Sequence, residues 1–182
     1  MALRLSISDA GFDAAFDALV NARREADADV SADVKAIIQD VRDHGDEAVA
    51  RLTRKFDGHD LERTGWRVDQ AESAAALEGL EASLRVALEL AALRIRDYHE
   101  GQIPENRDYL DEAGVQIGAR WNAVERAGIY IPGGRAAYPS SVLMNAIPAK
   151  AAGVERIIMV TPANGGEINP LVLAAAELAG VD

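Results

Sequence analysis

The stretch that decides the fold is Gly128–Gly153, GIYIPGGRAAYPSSVLMNAIPAKAAG. A short apolar run, Gly128–Ile131, meets a glycine pair at Gly133–Gly134. A loop of small and polar residues follows, and then a helix-like segment that opens at Pro139-Ser140-Ser141. A strand that empties into a glycine-rich turn and then a helix start presents backbone N–H groups, which suits an anion. The pair is neither G-x-G-x-x-G nor the Walker pattern, so its meaning comes from its context rather than from a motif.

Downstream, Arg156–Thr161 (RIIMVT) reads as a buried strand, Pro162–Gly166 as a loop and Pro170–Ala179 as a helix with Gly180 just past its end. The order from Gly128 is therefore β-α-β-α, which predicts parallel strands with a right-handed crossover. Ligands of such sheets sit at the carboxyl ends of the strands. Tyr130, Gly133 and Gly134 are thus the candidate binding residues. For Tyr130 two roles stand open, a tyrosine packed in the strand's core or a ring laid on a base or ribose. Asn145, at i+4 from Ser141, is expected to bond locally.

Upstream, helical stripes predict helices over Asp9–Arg23, with Asp9 as cap, and over Val30–Val41, with Ser31 as cap. His44-Gly45-Asp46 ends one helix and caps the next, which Asp57-Gly58 stops. Gly65–Asp69 (GWRVD) reads as a short strand and Glu72–Leu80 as a helix. The strongest helix covers Glu81–Glu100, with a seam of Leu84, Leu88, Ala91, Ile95 and Tyr98 and with i,i+4 pairs Glu81–Arg85 and Arg85–Glu89. Val115–Trp121 reads as an exposed-edge strand, and Asp111-Glu112 as a solubilising loop.

The composition narrows the partners. The net charge of −11 argues against nucleic acid and anionic membrane. All of it lies in residues 1–112; residues 113–182 are balanced, five acidic against five basic, so a phosphate-bearing ligand would meet no repulsion there. This step near 112 is the expected domain boundary, between a mainly helical region (1–112) with a short strand and a nucleotide-type unit (113–182). No membrane span and no secretory signal is visible, and the absence of cysteine suits a reducing cytoplasm. His44, His59 and His99 stand far apart without a second ligand at helical spacing, so they read as surface or capping residues, not metal ligands. No histidine follows residue 99 and no G-x-S-x-G elbow surrounds Ser140 or Ser141, so no catalytic residue is assigned.

An internal echo carries one more expectation. Ala149-Lys-Ala-Ala-Gly153-Val154-Glu155 leads into a strand, and Ala176-Glu-Leu-Ala-Gly180-Val181-Asp182 has the same shape. A further strand is expected directly after Asp182, so the chain reads as a piece of a longer protein with an incomplete parallel sheet.

The sequence resembles histidinol dehydrogenase at GIYIPGGRAAYPSSVLMNAIPAKAAGV, and the likeness extends through VRDHGDEAVARLTRKFD and AALRIRDYHEGQIP. The resemblance implies an α/β chain in which a helical segment precedes an incomplete Rossmann-like unit. It implies NAD and zinc as cofactors, L-histidinol as substrate, oxidation to L-histidine through an aldehyde with two NAD, and a cytoplasmic homodimer. Tyr130 matches the family's NAD-contacting tyrosine in its Tyr-x-Pro-Gly-Gly setting. The family's Glu-His acid/base pair and its Gln, His, Asp and His zinc ligands belong to later segments without a counterpart here. The chain alone is therefore expected to be inactive and to bind NAD weakly or not at all. Two alternatives stand beside this: a non-catalytic nucleotide-binding or dimerisation module, and an aldehyde-dehydrogenase-like domain. The lack of the cysteine that aldehyde dehydrogenases need weighs against the latter.

Overall fold

The computed structural model describes residues 3–133 and 137–182, with side chains 22–29 left aside. The expected site residue Gly134 lies outside the described residues. The chain divides into two compact units, residues 1–52 and 53–182. The step in charge, by contrast, falls near residue 112.

Helix α1 spans Phe12–Asp57. No glycine or proline stands between Phe12 and His44, and nothing there stops the helix. The two expected helices are therefore one, and it runs through Ser31 instead of starting there. The break comes at Gly45 (φ 56, ψ −133), where two helical stretches meet at a kink, as His44-Gly45-Asp46 predicts. The stripe of Phe16, Val34 and Ile38 is exposed instead of buried.

In the second unit Asp60 caps the short α2 (Leu61–Thr64), and Asp69 caps α3 (Gln70–Glu78). Gly65–Asp69 is not a strand. Gly65 (φ 92) caps α2 and Asp69 turns its carboxylate to the Ala71 N–H, so both ends of the segment serve helices. Helix α4 (Ala82–Glu100) takes Glu81 as its N-cap, which bonds the N–H and hydroxyl of Ser83. The pair that forms along this helix is Arg85–Glu89, at 2.8 Å. Leu88, Ala91, Ala92 and Ile95 meet the core, whereas Leu84 and Tyr98 stay exposed.

Strands β1 (Arg107–Leu110) and β2 (Gln116–Ala119) form an antiparallel hairpin. Asp111 builds its turn, accepting from the Ala113 and Val115 N–H groups at 2.9 and 2.8 Å. Its role is structural, beyond solubility. Strand β3 (Arg126–Tyr130) lies parallel to β4 (Arg156–Val160), joined through α5 (Pro139–Ala151); α6 (Pro170–Ala179) follows. The β-α-β-α order is thus the observed one, and the chain is an α/β protein.

The core of this unit is one cluster. Ile131, Val142, Leu143, Ile147 and Ile157 are fully enclosed between the sheet, α5 and α6. Each such side chain is worth about 1.5–3 kcal/mol in transfer free energy. Among the described residues, helices cover one face of the sheet. Tyr130, Ile158 and Val160, on the other face, are exposed, so β3 and β4 are half-buried rather than fully buried. The echo in the sequence is a repeated helix stop. Val154 N–H reaches Ala149 O and Gly153 N–H reaches Lys150 O, as Val181 reaches Ala176 and Gly180 reaches Glu177. Both glycines have positive φ, and each valine follows with its N–H turned back into the helix.

Candidate functional site

The carboxyl ends of β3 and β4 border a cleft of about 350 Å³. Pro132 and Gly133 wall it from β3, Thr161 and Pro162 from β4, and Asn164 and Glu167 from the loop before α6. Gly133 is required by close approach, not by a left-handed backbone. A Cβ there would stand 3.2 Å from both Cδ and the carbonyl oxygen of Pro162, while the φ of Gly133 is not positive. The glycine thus lets two strand ends close on one another at the lip of the cleft.

The loop on the far wall is held from behind. Asn164 and Glu167 form a bridge, and the Gly165 N–H donates to Asp57 O at 2.7 Å. Gly166 (φ +88) lies against His59, whose Nδ1 would be 2.9 Å from a Cβ at that position. The other nitrogen of His59 stands 3.1 Å from the Thr64 hydroxyl. Sequence spacing gave no sign that His59 supports this loop, because the partners lie about a hundred residues apart.

Two helix starts lie nearby and differ. Asn169 fills the start of α6, accepting from Leu171 N–H at 2.9 Å. Helix α5 starts at Tyr138 with no side-chain cap. Asn145 donates to Ser141 O at 2.7 Å, the expected local bond. Tyr130 is 64% exposed and sits on the open face of the sheet, paired across it with Val160, and it does not line the cleft. Burial in the core is excluded, and the ring is accessible.

The charge of the cleft departs from expectation. Although the segment is neutral as a whole, the described wall carries the Glu167 carboxylate and no cation. A phosphate against that wall would be repelled, whereas a carboxylate suits the hydroxyls of a ribose. By charge alone the described wall suits a hydroxyl-bearing ligand better than an anionic one. Zinc fits less well. Among the described residues no group of three or more histidines and carboxylates could hold a metal ion. His44 is bonded to Asp40, which also receives Arg51, and His99 meets the ring of Tyr98 edge-on. Among the described residues no helix is long and apolar enough to cross a membrane.

The fold and cleft define an α/β protein with an open cleft at the carboxyl ends of its parallel strands, where sheets of this kind commonly bind ligands. Comparison with known proteins narrows this. The sequence profile of the family "Histidinol dehydrogenase" matches residues 20–182. A histidinol dehydrogenase of Zymomonas mobilis is 57% identical over 146 residues, covering 80% of this chain and 34% of that protein. One of Rhodospirillum rubrum is 53% identical over 182 residues, covering 100% of this chain and 42% of that protein. A crystal structure of histidinol dehydrogenase from Elizabethkingia anophelis superposes with a TM-score of 0.76 at 35% identity, covering 84% of this chain and 35% of that one. This chain belongs to the histidinol dehydrogenase family. It spans between a third and some two fifths of the length of these relatives.

Proposed function

We propose that this chain supplies part of the NAD-binding half of a histidinol dehydrogenase, the enzyme that oxidises L-histidinol to L-histidine in the cytoplasm, as a homodimer. The observation that carries the proposal is the closure of Gly133 on Pro162 beside an accessible cleft at the carboxyl ends of β3 and β4. Family membership supports the reaction class.

In this reading the residues have separate tasks. Gly133 brings the backbone close to the cofactor, with Gly134 the further contact expected from the sequence; Glu167 takes ribose hydroxyls; Tyr130 offers its ring to the cofactor from the open sheet face. Bound NAD would supply the hydride acceptor. A base must also remove the hydroxyl proton of the substrate, and none of the residues named here is placed for that. Zinc and that base are assigned to other parts of the enzyme, and the chain by itself contributes binding without turnover.

The test is an assay of the purified chain with L-histidinol and NAD, following NADH absorbance, with metal analysis of the same sample. No NADH formation and less than stoichiometric zinc are expected. Sustained turnover would overturn the division of labour proposed here. A non-catalytic assembly module is the second reading. It is favoured by the apolar residues left exposed on α4, among them Leu84, Leu90 and Leu93. Calorimetric titration of the chain with NAD separates the two, since the assembly-module reading requires association without NAD binding.

A further inference from the structure

Asn164 lines the cleft and is followed by Gly165, and both residues are exposed. The chain has six asparagines, and no other precedes a glycine. Asparagine is a thermolabile residue, and glycine after it offers the least hindrance to attack by the backbone nitrogen, because no Cβ blocks the approach. The other asparagines are poorer candidates. Asn169 precedes Pro170, which has no N–H to give up, and Asn145 is held in α5 by its bond to Ser141 O. Asn122, exposed and followed by Ala123, serves as an internal control.

The nitrogen next to Asn164 is engaged in the fold. Gly165 N–H donates to Asp57 O at 2.7 Å, and Glu167 N–H donates to Asn164 O at 3.3 Å across the bridge between those two residues. His59 backs the same loop, its Nδ1 lying against Gly166.

We propose that Asn164 is a self-modification site in the cleft wall, converted through a succinimide to aspartate and isoaspartate. The Gly165–Asp57 bond, with His59 behind the loop, is the latch that slows the conversion. In the first step the Gly165 nitrogen loses its proton to hydroxide and bonds to the side-chain carbonyl carbon of Asn164. The carbon–nitrogen bond of the carboxamide then breaks, and its nitrogen leaves as ammonia. Water opens the ring at either carbonyl. The sum is asparagine plus water giving an acid plus ammonia, with no change of oxidation state. Loss of the Gly165 proton also underlies amide hydrogen exchange, so a bond that protects this amide holds back ring closure in the same measure. The product places a second carboxylate beside Glu167 on a wall whose described residues carry no cation. Isoaspartate also lengthens the backbone by a carbon, which breaks the register of the bridge to Glu167. None of this depends on which ligand the cleft takes.

The test is incubation of the purified chain in mildly alkaline buffer, folded and in urea, with peptide mass spectrometry following the amide-to-acid change. Methyltransferase labelling detects isoaspartate in the same peptide. Conversion is expected at Asn164 and not at Asn122. The folded chain should react roughly tenfold more slowly than the unfolded one, or slower still, by a factor that matches the exchange protection of the Gly165 amide. His59→Ala should raise the folded rate about threefold or more and leave the rate in urea unchanged. Should that variant fail to fold, the match between slowing and exchange protection decides alone. An Asn164 that stays intact in urea overturns the site. Equal rates in the folded and unfolded chain, or an unchanged rate in folded His59→Ala, overturn the latch.

Discussion

Gly133 and Pro162, at the ends of adjacent parallel strands, approach so closely that a Cβ on the glycine would stand 3.2 Å from the proline's Cδ and carbonyl oxygen. Both residues belong to the lip of the cleft. Gly133→Ala should therefore force the strand ends apart. An overpacked contact of this kind costs about 1–3 kcal/mol, and the backbone is rigid on the proline side. Urea denaturation should show a lower midpoint with an unchanged slope. An unchanged midpoint would mean that the lip is looser than described.

A second prediction contrasts neighbours in β4. Ile157 is fully enclosed, and Ile158 is about half exposed on the opposite face. Ile157→Ala should cost about 2–5 kcal/mol through lost burial and a cavity. Ile158→Ala should change stability by less than about 0.5 kcal/mol in the chain alone. Equal losses would contradict the one-sided core.

The support of the cleft loop can be tested at Gly166. With φ +88 and His59 at 2.9 Å, alanine there meets both backbone strain and a contact. Gly166→Ala should lose about 1–3 kcal/mol. His59→Ala added to it should recover the part due to contact and leave the part due to strain. A double-mutant cycle with no coupling would show that His59 does not touch the loop.

The pH dependence follows from Asp182. The Ile157 N–H it accepts, and then Lys150, hold its carboxyl below the ordinary value near 3.8. A carboxyl lowered in the folded state stabilises above its unfolded pKa, and this is lost as pH falls through the folded value. The contribution is thus complete near neutrality and fades below about pH 4. Because the side chain is 43% exposed, it amounts to no more than about 0.5 kcal/mol. Asp182→Asn should flatten that part of the acid limb in a pH series of melting curves, and an unchanged limb would count against the bond.

Legibility in the sequence followed the range of the interactions. Helix α6 and its glycine stop were read to the residue, and α4 to within one, because capping and periodicity are local signals. The parallel pairing of β3 and β4 followed from the helix between them. Strand β1 went unread, since Arg107–Leu110 has little alternation and its turn depends on what Asp111 bonds. Strands β3 and β4 each read as buried because an apolar run looks the same whether or not anything covers it, although a parallel sheet of so few strands implies exposed apolar faces. In the cleft, Gly133 stood out in the sequence, but its reason, contact with Pro162, is long-range. Glu167 and His59 gave no local sign of a role, since only the folded chain brings them to the same loop.

The cleft between Gly133 and Glu167 is proposed above as a piece of an NAD site. A titration of the isotopically labelled chain with NAD, followed by amide chemical shifts, tests it directly. Shifts gathered at Gly133, Thr161, Asn164 and Tyr130 are expected, with weak affinity, a Kd of about 1 mM or above. Shifts centred elsewhere on the chain, or none at tenfold higher NAD, would contradict it.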